Sequence, residues 1–274
     1  MARRRRVLRH SASCALLTLN QFRIQTVILV FFMAAMLNPA FSQTVFPMDK
    51  AADIYFRYEV SIPAFEDDSK EFKLWVPFPI DTSFQKVTRF SVQSPWPGEV
   101  IQEETHQNRF LYFKQPTLKR PLKMAFHYRL TIFPHSIFSD TEGKQFYEIY
   151  KKLPAPQKEA SQECAHRYKN FKGKLFFGFR LTQKLRGSLE EPTCWAMIQN
   201  DEQWIPMDIQ EEFGKMPANR ITLFRGGSVV LPKASNQSPI EGMFKPYAEL
   251  DGSEFQDIQA QWSFTRIKTY LYKP

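Results

Sequence analysis

Cys164, Cys194, His166 and Asp208 are residues in the body of the chain whose types admit nucleophilic or acid–base chemistry. A cysteine attacks as its thiolate, and a nearby base or positive charge is what makes that thiolate available at neutral pH. Cys164 and His166 stand two apart, with Glu163 alongside. Residues two apart on a helix do not face each other, so the pair is poorly set for proton transfer. A small apolar side chain packed against a sheet is the simpler reading of Cys164. In an oxidising compartment Cys164 and Cys194 pair, stay free, or include a nucleophile, and the sequence leaves these open. His106 and His127 are isolated on strand-like patterns and read as surface or interface residues. Only Glu163-Cys164-x-His166 approaches ligand spacing, so no metal site and no cofactor is expected. The five tryptophans alternate with apolar neighbours and read as core filling before they read as a platform for glycan or peptide.

The elements that would position these residues are strands. Ile54, Phe56, Tyr58, Val60 and Ile62 alternate with Tyr55, Arg57, Glu59 and Ser61, the period of a half-buried strand. Phe72–Phe78, Val87–Val92, Arg109–Phe113 and Leu122–Ile132 follow with turn residues between them, the pattern of an antiparallel sandwich. Strand patterns return from Lys174, over Leu175–Leu181, Gln203–Met207, Ile221–Phe224, Ser228–Leu231, Pro246–Glu249 and Ala260–Thr265. Between the two sets, Asp140 can cap a helix bearing Phe146, Ile149, Tyr150 and Leu153, and a second short helix can carry Ala160, Cys164 and Tyr168. A composition of 43% hydrophobic and 24% charged residues excludes a disordered, collagen-like or coiled-coil chain.

The formal charge of +9 points toward nucleic acid until its distribution is considered. Residues 1–42 carry six arginines and no acid, which leaves 31 basic against 28 acidic residues in the remainder. No clustered basic run stands there, so no nucleic-acid partner is expected. The first segment has a basic region ending at Arg23, an apolar run over Val27–Leu37, and the small-x-small pattern Ala40-Phe41-Ser42. That is the order of an export signal, with an apolar stretch short of the roughly 20 residues of a membrane span. The expectation is an exported chain, periplasmic or extracellular, that meets the membrane only through this segment where it stays uncleaved.

Several stretches resemble bacterial secreted proteins of the transglutaminase-like superfamily, which share the papain-type thiol-enzyme architecture. They are Phe72-Lys73-Leu74-Trp75-Val76-Pro77-Phe78-Pro79, Asn108–Tyr112, Cys194-Trp195-Ala196 with Trp204–Asp208, Asn219–Gly226 and Pro246–Gly252. The resemblance spans about residues 52–134 and 173–266. It implies a Cys-His-Asp triad whose histidine precedes the Trp-Ala pair and whose aspartate falls at Asp208. Thr193 occupies the histidine position, and a hydroxyl that does not titrate near neutral pH replaces neither a general base nor an ion-pair partner for a thiolate. The family nucleophile heads a long helix, whereas only nine residues separate Cys164 from the strand beginning at Lys174.

The expected fold is therefore mostly β, a β-rich α+β chain. It runs as signal peptide (1–42), antiparallel β-sandwich (43–134), helical linker or remnant (135–172), and a reduced transglutaminase-like β domain (173–274). The resemblance and its departures imply a pseudoenzyme of the cell envelope that binds a protein or peptide partner, with Asp208 as a triad relic. The alternative is a working thiol acyltransferase or cysteine peptidase using Cys164, Asp208 and a displaced base, His166.

Overall fold

The structure, a computed structural model, describes residues 47, 49–65, 71–116, 120–136, 173–190, 192–200, 203–208 and 214–270. Among them every regular element is a strand. In chain order these are β1 (Ala51–Ile62), β2 (Phe72–Phe78), β3 (Gln85–Gln93), β4 (Glu99–Gln102), β5 (Arg109–Gln115), β6 (Leu122–Ile132) and β7 (His135–Ser136). After them come β8 (Gly173–Arg180), β9 (Arg186–Leu189), β10 (Pro192–Asn200), β11 (Gln203–Met207), β12 (Lys215–Met216) and β13 (Arg220–Arg225). The last are β14 (Ser228–Val229), β15 (Ile240–Glu241), β16 (Tyr247–Leu250), β17 (Ser253–Glu254) and β18 (Gln259–Tyr270). The mostly β architecture with antiparallel sheets agrees with the sequence pattern. The two helices expected within 135–172 fall outside the described residues, as do Cys164 and His166.

Three sheets carry the fold. The first has the order β3-β6-β1-β18-β9, the second β17-β16-β2-β5-β4, and the third β11-β10-β8-β13. The alternation read in β1 decides the packing: Ile54, Phe56, Tyr58 and Val60 are buried while Tyr55 and Arg57 are exposed. The inner face of the first sheet meets the second through Phe78 and Tyr128, 5.1 Å between ring centroids. It meets the third through Phe179 and Trp262 at 5.0 Å. Strands from both halves of the sequence share sheets: β18 pairs with β1, and β16 pairs with β2. Sheet membership thus crosses the sequence boundary drawn at residue 134.

Two buried side-chain amides tie the third sheet to the other two. The β13 strand is the edge of its sheet, and a bulge between Thr222 and Phe224 resets its alternation. Gln85, fully buried at the start of β3, donates to the carbonyl oxygens of Ile80 (2.8 Å) and Thr222 (2.9 Å) and accepts from the Thr222 N–H (2.9 Å). Asn108, next to β5, donates to the Arg225 carbonyl and accepts from the Arg225 N–H, both at 2.7 Å. Each amide thus serves as one ladder rung, supplying what a further strand would have supplied.

On the outer face of the first sheet, Asp53 is buried and accepts from Thr131 Oγ1 at 2.7 Å and Arg129 Nη2 at 3.0 Å, with Lys268 Nζ at 3.7 Å. Burial alone would raise its carboxyl pKa, but the two hydrogen bonds and the Lys268 and Arg129 charges outweigh burial and hold it below the usual value.

Replacing Gln85 by Leu leaves the Thr222 N–H and the Ile80 carbonyl without that partner. Chemical denaturation should show a loss of about 1–3 kcal/mol for each group left unsatisfied. The Asp53 contribution is present above the unfolded-state carboxylate value near 4 and is lost as pH falls through the lower folded value, roughly the acid range below pH 4. Asp53→Asn should flatten that part of the stability–pH curve measured by thermal melts.

Candidate functional site

Of the residues singled out in the sequence, Thr193, Cys194 and Asp208 lie on or beside the third sheet. Along β10, Cys194 and Ala196 join the main core, whereas Trp195 and Met197 pack with Phe84, Phe176 and Met216 in a second cluster. Period two places Thr193 on the Trp195 face. Thr193 is half-buried and stands opposite Gly178 of β8. Gly178 also pairs with Thr222, and a Cβ added there would lie 1.8 Å from the Ile221 carbonyl oxygen, so only glycine fits under the bulged β13 backbone.

Asp208 directly follows β11, whose register sets Met207 against Ala196. One further step brings Asp208 opposite Trp195, two residues along β10 from Thr193. Thr193 of β10 and Asp208, just past the end of the neighbouring β11, thus fall on the same side of the sheet by alternation.

The partner of Asp208 is a residue that sequence reasoning gave no role. Arg220, the first residue of β13, is fully buried, and its Nε and Nη2 both donate to Asp208 Oδ2, at 2.8 and 2.5 Å. Its Nη1 donates to Asn219 Oδ1 at 2.6 Å, and the guanidinium lies 6.0 Å from the Trp195 ring centroid. Asp208 is 1% exposed, so both charges are withdrawn from water and each depends on the other. The available signal was an arginine directly before the strand-like run Ile221–Phe224, since a buried arginine demands an acid. Cys194, on the opposite face from Thr193, is buried and disulfide-bonded, so it is no thiolate.

Beside this face lies a cavity of about 460 Å³ lined by Thr82, Ser83, His135, Lys174, Phe176, Met197, Trp204 and Arg225. Lys174 sits 4.0 Å above the Trp204 ring and Arg225 5.6 Å from that of Phe176, so cations rim an aromatic floor. Burial lowers the His135 pKa, partly offset by a hydrogen bond with the Trp204 backbone, which leaves the imidazole neutral around pH 7. Burial also lowers Arg225, against the pull of Glu103, yet a guanidinium stays charged at any physiological pH. Among the described residues no group of three or more His, Cys, Asp and Glu side chains could hold a metal ion.

Comparison with family models and with curated proteins finds no match. Among solved structures, the chain is similar to one described as a "putative cysteine protease from Cytophaga hutchinsonii", at 11% identity and a TM-score of 0.43. The match covers 81% of this chain and 94% of that one. At that TM-score the likeness carries no argument, and the site is read from its own geometry.

Removing either member of the Asp208–Arg220 pair takes from a buried charge its opposite charge on the neighbouring strand. Asp208→Ala and Arg220→Met should each cost about 3–5 kcal/mol in denaturant unfolding. The paired replacement Asp208→Leu with Arg220→Met should recover much of that loss in a double-mutant cycle.

Proposed function

We propose that the protein is an exported pseudoenzyme of the cell envelope: a transglutaminase-like β scaffold that binds a partner and performs no thiol chemistry. The observation that carries this reading is the ion pair between Asp208 and Arg220. In a triad the carboxylate accepts from an imidazole N–H and holds that ring toward the nucleophile. Here a guanidinium donates twice to one carboxylate oxygen, and the sequence resemblance sets Thr193 at the position of the imidazole. The carboxylate thus anchors the start of β13 through Arg220, and a threonine hydroxyl takes up no proton near neutral pH.

Binding is assigned to the cavity beside that pair. Phe176, Met197 and Trp204 offer apolar area, and Lys174 and Arg225 supply positive charge with no acid among the lining residues. The occupant that suits this lining is a peptide segment with an aromatic or aliphatic anchor and a carboxylate close to it. Export and an envelope location rest on the N-terminal sequence pattern.

Iodoacetamide separates this reading from a thiol enzyme. Intact-mass measurement at pH 6–7 should show slow modification of the chain, whether purified with or without mild reduction, because an ordinary thiol titrates near 8.5. Rapid stoichiometric labelling of Cys164 in that range would reveal an activated thiolate and overturn the proposal.

A further inference from the structure

The outer face of the first sheet gathers basic side chains from strands far apart in sequence. The registers align Arg89 of β3, Arg129 of β6, Tyr55 of β1, Thr265 of β18 and Arg186 of β9 in one row across all five strands. Arg57 lies in the adjacent row on one side and Lys268 in the adjacent row on the other. Of the acids on these strands, Asp53 is engaged by Arg129 and Lys268, and Glu59 by Arg57 at 2.8 Å. Arg89 and Arg186 are exposed and have no acidic partner among the described residues. The remaining negative charge sits at one corner, where Glu59 and Glu190 line a shallow depression.

The shape of this array selects among anionic partners. Strands lie about 4.8 Å apart, so Arg89 and Arg186 are separated by about 19 Å across the face of the sheet. A nucleic-acid strand or an extended acidic peptide follows a groove or a line, whereas a broad, gently twisted plane of cations matches a plane of anions. The centre of the row adds the element that a purely electrostatic surface lacks. Tyr55 is 52% exposed there, and the bulge near Asp53 turns Ile267 outward to 39% exposure. Amphipathic tyrosine and an aliphatic side chain amid arginines suit the headgroup layer of a bilayer, where a ring sits at the boundary and guanidinium groups meet phosphates.

We infer that this face docks the protein on a membrane surface rich in anionic phospholipid, independently of the cavity beside Asp208. Each basic group near such a surface strengthens attachment about fivefold.

The test is flotation of the full chain with vesicles of phosphatidylcholine alone and of phosphatidylcholine with one quarter phosphatidylglycerol, at 0.1 M salt. Retention should favour the anionic vesicles and fall at 0.5 M salt, where screening shortens the reach of the charges. Arg89→Gln with Arg186→Gln should weaken anionic retention roughly 25-fold, two cations at about fivefold each, with an unchanged melting temperature. Lys245→Gln, an exposed lysine away from this sheet, should leave retention unaltered. Equal retention on both vesicle types, or no loss in the double variant, would overturn the inference. So would tighter binding of a short DNA duplex than of the anionic vesicles at the same salt.

Discussion

The unpaired edge of β13 is the constraint on which the arrangement of the other sheets depends. An edge strand presents N–H and C=O groups that cost free energy when buried unpaired. Here they are buried, and the bulge after Thr222 turns two residues three apart, Thr222 and Arg225, outward toward the other sheets. Gln85 and Asn108 reach them with both atoms of their amides. One amide comes from the start of β3 in the first sheet and the other from the start of β5 in the second. The position of β13 is therefore fixed from two sides by hydrogen bonds that tolerate little displacement. Glu103 supports the second of these, accepting from the Asn108 side chain at 3.0 Å and its backbone N–H at 2.9 Å.

That fixed strand sets the chemistry available beside it. Arg220 opens β13, so its guanidinium is delivered to the Trp195 face whether or not a carboxylate waits there. A buried guanidinium with only neutral partners would be costly, and Asp208 at the end of β11 resolves the problem. The same pairing commits Asp208 Oδ2, which accepts two hydrogen bonds from the guanidinium.

The elements were legible in the sequence wherever one face of a strand is buried and the other wet. The alternation in β1 is plainest because one of its faces lines the aromatic core, whereas Leu74–Phe78 of β2 and Phe176–Phe179 of β8 are buried on both faces; the structure returns these strands within a few residues. The β9 strand was not legible: Arg186–Leu189 buries only Leu189 and earns its place by pairing with β18. The proximity of Thr193 and Asp208 was legible because a hairpin fixes it locally. The arginine that holds Asp208 was visible as a charge among apolar neighbours, but its partner depends on sheet order, which no local pattern encodes. The basic face was hidden for the same reason. Arg89, Arg129 and Arg186 are scattered through segments far apart in sequence, and only the order β3-β6-β1-β18-β9 aligns them.

That sheet order also shows why the sequence halves cannot be understood apart. The β1 strand sits between β6, about seventy residues on, and β18, about two hundred residues on, and lends its outward side chains to one surface and its inward rings to one core. Tyr58 touches Phe126 on one side and Trp262 on the other, at 6.0 and 5.4 Å between centroids. Without β18, β1 would become an exposed edge with an aromatic inner face, the kind of strand that pairs with foreign chains. The long return from β13 to β18 is thus part of what keeps the first sheet closed, and its loop-closure entropy is offset by the core that β18 completes. The resulting sheet is rigid enough to carry a planar row of charges on one side while its other side holds the strands that immobilise Asp208.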